Sequence, residues 1–590
     1  MGRMKFFLVA ALLMTLTSSV AVSQNQPARQ AANQRPLVVR GGLLIDGTGA
    51  APVANSVIVI ANGTIQSVGR EGSVTIPANA TVIDATGKTI IPGLIDSHVH
   101  LRNYQPQAYL YWGVTTVGDL GNSPGWVASY RAAVEKGRAV GPYVLVATQR
   151  FNAPAVPGGP GYVAPAASFL TGNLGTAIVT DAASAEKKVA EVKALGADAI
   201  KMFQRMEPSL MKITVDAAHK QGLPVFAHYT SASPRIGVVL GFEDIADTGI
   251  NTAVHLFGLI KDTVPKETLD RIMRGDNIEG WHLMDTAKFP ALAQKLADRR
   301  MFINSTLRAQ FEKASRHREA FDRLNIAFVA SPVTAGLPKV IRDRYASAFK
   351  PGPPAAAQDL AEGYRRAGMF VKEFVSRGGK IISGSDAGAG NLGTAGLALH
   401  LDMMMLTEVG LTPMQSIQAT TSWAADAWGK LREVGTLEAG KRADVLVLNR
   451  NPLDDLAATT DIFQLIQGGA VVDRQSLANW KEVVPKPGLV QENFSNPALQ
   501  VPFITYMWPE LISTGSRNTE ITISGENFSP NSFVLLNDKI LRATPQGTSE
   551  LKISVPAGSF RQPGTYPLVV VQPGSGGGVS NSYYLMVTSN

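Results

Sequence analysis

Cysteine is absent from all 590 residues, which excludes disulfides, thiolate zinc sites, cysteine nucleophiles and a lipid-modified N-terminal cysteine. Charged residues are scarce as well, at 17% against a usual share of roughly 25%. Combined with 45% hydrophobic residues, that scarcity describes a folded, core-forming chain and not a disordered one. Basic residues exceed acidic ones by only eight, 55 against 47, and they form no run, so no nucleic-acid surface is expected. No apolar run reaches the ~20 residues of a membrane span. The length suits three or four folding units.

The N-terminus carries an address. Arg3 and Lys5 precede an apolar run over 6–16, and Ala21, Val22 and Ser23 supply small residues before Gln24. This pattern predicts a secretory signal over 1–23 and an exported chain, periplasmic or secreted, that begins near Gln24.

Residues 36–91 contain short strand-like runs, two of which flank Asn62 and Gly63, a pair suited to the positive φ of a tight hairpin. Strand-like runs return over 431–480, at 443–448 and 468–472, so the two pieces are expected to form one composite β-domain, a small sandwich. Between them, over 92–430, apolar runs at 144–147, 199–203, 224–227 and 380–383 alternate with helical stretches at 184–195 and 209–221. That alternation predicts an α/β fold, a (β/α)8 TIM barrel, with its chemistry at the C-terminal ends of the strands. Residues 148–180, 258–300 and 330–360 read as long loops. A polar linker over 481–500 leads to 501–590, whose short strands and turn residues predict an all-β sandwich.

His98 and His100 stand two apart at the end of an apolar run. Alternate strand residues share a face, so both imidazoles can serve one metal, although two polar residues on a solvated strand face have the same pattern. His228, His255 and Asp386 each close a strand-like run too, and four of only eight histidines thus occupy strand ends. Lys201 ends another such run, where a buried ammonium is costly unless paired or chemically altered. Beside metal cations an amine of lowered pKa can take up carbon dioxide and bridge the metals as a carbamate; the plainer alternative is a lysine reaching the barrel rim.

The order His-x-His, Lys, His, His, Asp resembles the binuclear metal-dependent amidohydrolase superfamily. The segments 113–119, 384–388 and 440–444 resemble its imidazolonepropionase-like and prolidase-like branch, and the likeness spans about 36–475. It implies His98 and His100 on a buried metal, Lys201 as a bridging carbamate, His228 and His255 on an outer metal, and Asp386 as metal ligand and proton shuttle. It also implies two divalent metal ions, with zinc the first choice, and a metal-bridging hydroxide that hydrolyses an amide or peptide-type bond in a dipeptide or N-acyl amino acid. The sequence departs from the family in carrying Val254 in place of a glutamate before His255, and in having no histidine in the glycine-rich run 157–161. Those departures bear on the substrate more than on the metals.

Tyr229 and Arg235, just past His228, are candidates for meeting an anionic substrate group. Residues 388–393 also fit a dinucleotide fingerprint with Glu408 downstream, although no complete nucleotide-binding half follows. The tail resembles the IPT/TIG immunoglobulin-like fold, which implies a spacer or a contact with a surface polymer or protein partner. The expected ligand is a small molecule, and self-association is left open. The alternative to an exported hydrolase is a catalytically silent barrel that binds through its C-terminal sandwich. Metal-dependent deamination on the same barrel is a third class, disfavoured because one metal needs no lysine bridge.

Overall fold

The computed structural model describes residues 35–101, 105–121, 127, 130–131, 134–135, 140–153, 176–194, 196–203, 206–229, 240–274, 280–335, 345, 357–388, 393–478, 502–509, 511–537, 539–562, 564–572, 578–580 and 583–588. The N-terminal segment read as an export signal, the linker over 481–500 and Arg235 lie outside them.

Eight parallel strands follow one another around a nearly closed barrel: Leu94–Val99, Val114–Leu120, Tyr143–Asn152, Ala199–Met202, Val225–Ala227, Thr252–Val254, Phe302–Asn304 and Lys380–Ile382. Each pairs with the next in the chain. The last returns to the first through the Ser97 amide on the Ser383 carbonyl, 3.2 Å, and a parallel bridge between Val99 and Ala387. Strands buried on both faces favour apolar residues, as Val225–Ala227 shows, while the buried polar residues Asp96, Ser97, His98, Asp119 and Lys201 interrupt Leu94–Val99, Val114–Leu120 and Ala199–Met202. Helices Ala182–Ala194 and Pro208–Lys220 take the places that the sequence pattern marks for crossovers.

The barrel interior is packed, not hollow. Leu120, Leu145, Ala199, Phe226, Val254 and Ile382 close around Trp428, whose ring lies 4.5 Å from that of Phe226. A Cβ on Gly118 would meet the Trp428 ring at 2.3 Å, so only glycine lets the second strand pass the indole. This floor sends whatever binds the barrel to the opposite, C-terminal end.

Two small sheets accompany the barrel, and the second draws on both of its flanks. Leu37–Arg40, Ser56–Ala61, Thr64–Arg70 and Thr81–Asp84 form one of them, and Asn62 and Gly63 turn its hairpin with φ of 53° and 80°. The other runs Ala470–Val472, Ile462–Gln467, Val445–Leu448, Thr89–Pro92, Leu43–Leu44. Val445 pairs with Pro92, two residues before the first barrel strand, so this sheet fixes where that strand enters.

The expectation of loops over 258–300 is corrected by the structure. Helices Gly258–Thr263, Lys266–Arg274 and Phe289–Asp298 occupy the segment, with two 3-10 turns between the second and third. Their apolar residues do not form one long periodic run, because Pro265 and Pro290 restart the helix each time. At the other end of the chain, nine strands from Phe503 to Thr588 pair almost wholly antiparallel around a core that includes Ile504, Ile523, Leu551, Leu568 and Leu585.

Candidate metal centre

His98 on the first strand and His100 just beyond it turn the same way. Their Nε2 atoms lie 3.3 and 3.2 Å from Asp386 Oδ1, and their rings are 5.3 Å apart. Asp386 arrives from the segment after the eighth strand, with its amide donating to the His98 carbonyl at 2.8 Å and a left-handed φ of 54°. Behind it, buried Asp96 accepts hydrogen bonds from the amide and hydroxyl of Ser385, at 2.9 and 2.5 Å. Asp96 thereby fixes the residue next to Asp386.

The remaining histidines come from the fifth and sixth strands. The His228 amide donates to the Met202 carbonyl at 3.0 Å and the His255 amide to the Asn304 carbonyl at 2.8 Å, so each continues the sheet ladder one bond past its strand. The His255 ring lies 5.3 Å from that of His98 and 4.7 Å from that of His228. Lys201 is buried on the fourth strand, and its charge is felt by both His98 and His255. The structure thus gathers His98, His100, Lys201, His255 and Asp386 at one end of the barrel, with His228 against His255.

Thr306 completes the surroundings of His255. Its Oγ1 sits 2.7 Å from His255 Nδ1 and accepts a hydrogen bond from Gln310 Nε2 at 3.0 Å. Thr306 has a φ of 44°, a conformation that a β-branched residue rarely takes, and His255 itself has a φ of 69°. Three left-handed residues, His255, Thr306 and Asp386, therefore surround one small volume.

Burial lowers the His98 imidazole well below its ordinary value and that of His255 to about 4, outweighing the Asp386 carboxylate beside them. Both rings are neutral near pH 7, the state in which a ring nitrogen can bind a cation. Burial pushes the Asp386 carboxyl up, but attraction to the adjoining imidazoles in their protonated form and a hydrogen bond from His100 outweigh it and hold the group below the usual carboxylate range. One donor atom each from His98, His255 and Asp386 lies within 4.8 Å of the others. His98 Nδ1 is buried and has no hydrogen-bond partner among the described residues. Neutral imidazoles and an ionised carboxylate converging away from water fit a divalent cation of the zinc type.

Tyr229 is only 1% exposed, its ring 5.5 Å from that of Phe242 and its hydroxyl packed against Gly258. Burial raises its phenol well above the ordinary value. Glu408, the acid of the dinucleotide pattern, accepts from the Ser315 hydroxyl and the Arg316 amide at 2.6 and 2.7 Å and so serves the fold. Sequence reasoning overlooked Asp96, Thr306, Gln310, Phe203 and Phe257. Asp96 was within reach, since it shares a strand face with His98. The others depend on turns that no residue pattern announces.

The amidohydrolase family model matches residues 89–473, and the IPT/TIG domain model matches residues 502–585. An enamidase of Eubacterium barkeri is 35% identical over 92 residues, 14% of this chain and 24% of that protein, so the match spans about a quarter of the relative. Among solved structures, a bottromycin amidohydrolase aligns with a TM-score of 0.54 and 21% identity, covering 77% of this chain and 92% of that one. A prolidase complexed with N-methylphosphonate-L-proline aligns at 0.52 and 21%, covering 75% of this chain and 100% of that one. At such identities the structural likeness concerns the fold.

Proposed function

We propose, because the chain belongs to the amidohydrolase family, that it hydrolyses an amide-type carbon–nitrogen bond of a dipeptide or N-acyl amino acid with the help of two divalent cations. The observation that carries this reading is the convergence of the donor atoms of His98, His255 and Asp386 within 4.8 Å at the C-terminal end of the barrel strands. His98, His100 and Asp386 would hold one cation, His228 and His255 the other, and Lys201 as a carbamate would lie between them. Bound there, the cations supply an activated water and a polarised scissile carbonyl.

The rest falls to the protein. Asp386, ionised near neutral pH, takes a proton from the attacking water and delivers it to the leaving nitrogen. Its reach is set by its amide on the His98 carbonyl and by Ser385, which Asp96 holds. The packed floor around Trp428 keeps bulk water from entering behind the reacting groups.

The test is metal content together with turnover. The full chain, prepared without chelators, is expected to carry about two divalent ions and to release free amino acid from N-acyl amino acids or proline-containing dipeptides. Lys201→Ala is expected to abolish that turnover. Less than one ion per chain, with no hydrolysis after reloading with zinc or manganese, would sink the reading and favour a silent barrel that binds through residues 501–590.

A further inference from the structure

We infer that Phe203 and Phe257 form an acyl subsite beside His228 and His255, which takes an aryl or branched alkyl group on the carbonyl side of the scissile bond. The rings are a fact of the structure, while the orientation of the substrate rests on the hydrolase reading above.

Most of the centre is closed to solvent. His98 and Lys201 are each 1% exposed and His255 5%. His228, Asp386, Phe203, Phe257 and Gln310 are half-buried there. A molecule that reaches Asp386 therefore meets half-buried polar groups and the two phenyl rings. Phe203 follows the fourth strand two residues after Lys201, with its ring 4.9 Å from that of His228. Phe257 follows the sixth strand two residues after His255, with its ring 5.5 Å from that imidazole.

Phe257 stands on a fixed support. Its ring lies 5.7 Å from that of Trp281, which is 5.0 Å from Phe311, which in turn is 5.4 Å from Tyr364. The last three are buried, so the wall is in place before a ligand arrives. Apolar surface held partly in water favours an apolar complement.

The hydrolase reading orients the substrate against the rings. Asp386 touches His98 and His100 and lies within 4.8 Å of the His255 donor atom, and on the hydrolase reading the nitrogen that takes its proton is placed on the His98 and His100 side. The substituent on the carbonyl carbon then extends the other way, toward His228 and His255, and so onto Phe203 and Phe257. Arg308 borders the Asp386 segment across Gly393, but Glu312 already pairs with it at 2.8 Å. Among the described residues, no other arginine is placed against the phenyl wall to meet an anionic acyl chain.

The full chain is assayed with N-acetyl-, N-isovaleryl-, N-phenylacetyl- and N-succinyl-alanine, which share one leaving amine. kcat/KM for the isovaleryl and phenylacetyl substrates is expected to exceed that for acetyl by about tenfold or more, with succinyl lowest. Phe257→Ala is expected to lower the phenylacetyl-to-acetyl ratio by about tenfold, and Phe257→Leu, which keeps an apolar side chain, to lower it less. Equal kcat/KM for all four, a preference for succinyl, or an unchanged ratio in both Phe257→Ala and Phe203→Ala overturns the subsite while the hydrolase reading stands. Calorimetry with phenylacetate and acetate reads the same surface without turnover. Phenylacetate binding about tenfold tighter than acetate, and weakened in Phe257→Ala, upholds the subsite even if no N-acyl alanine is cleaved, a result that removes N-acyl alanines as substrates and leaves the subsite standing. Equal binding of the two acids overturns the subsite.

Discussion

Thr306 occupies a conformation that costs a β-branched residue about 1–3 kcal/mol, and what that conformation achieves is one hydroxyl beside His255 Nδ1. If Nδ1–H donates to that oxygen, the Nε2 lone pair is the one left for a cation, and Gln310 keeps the hydroxyl from rotating away. Partners of this kind typically contribute 10–100-fold to metal affinity. Thr306→Val keeps the shape and loses the hydroxyl, so its affinity for zinc is expected to fall by roughly that factor, while Thr306→Ser retains most of it. A competitive chelator titration of the two variants checks this; equal affinities would remove Thr306 from the centre.

At the scale of elements, the helix Leu397–Glu408 is held by His400, whose Nε2 lies 2.6 Å from the Trp112 carbonyl and whose Nδ1 lies 2.8 Å from Thr459 Oγ1. One buried ring thus ties a barrel helix to the first barrel connection and to the 3-10 segment Leu456–Thr460. Burial lowers this imidazole to about 4. A folded value below the unfolded one of about 6.5 means that the unfolded chain binds the extra proton between those limits. Stability from His400 is therefore complete above about pH 6.5 and lost as pH falls toward 4, roughly 3 kcal/mol in all. His400→Gln lacks that titration, so the stability gap between the wild type and the variant should narrow on acidification from pH 7.5 to 4.5. Denaturant melts across that range measure it.

The element scale also explains what the sequence disclosed. His98, His100, Lys201, His228, His255 and Asp386 were legible because each ends an apolar run, and in a parallel barrel the strand ends meet at one rim. Thr306 and Phe257 were not, since the left-handed turns that place them, at Thr306 itself and at His255, carry no glycine or asparagine to mark them. Tyr229 follows a recognised strand, yet its side chain turns into the packing around Phe242, a direction that only tertiary contacts decide. Residues 258–300 concealed their helices because prolines divide them into pieces too short for a clear period.

At the scale of the whole molecule, two cores stay separate. Buried apolar residues from Ile45 to Leu477 form the barrel cluster, those from Ile504 to Val587 form another, and no described residue belongs to both. The IPT/TIG match begins at residue 502, and every core residue of the sandwich lies within 504–587. A unit that completes its own core can be removed without opening that of its neighbour. A chain of residues 24–490 is therefore expected to keep its metal and its kcat/KM within about threefold of the full chain, while calorimetry loses one melting transition. A loss of activity beyond about tenfold, with the metal retained, would mean that the sandwich reaches the barrel mouth and contributes to substrate binding. Unfolding of the shortened chain would instead mean that the two cores stabilise one another across the linker.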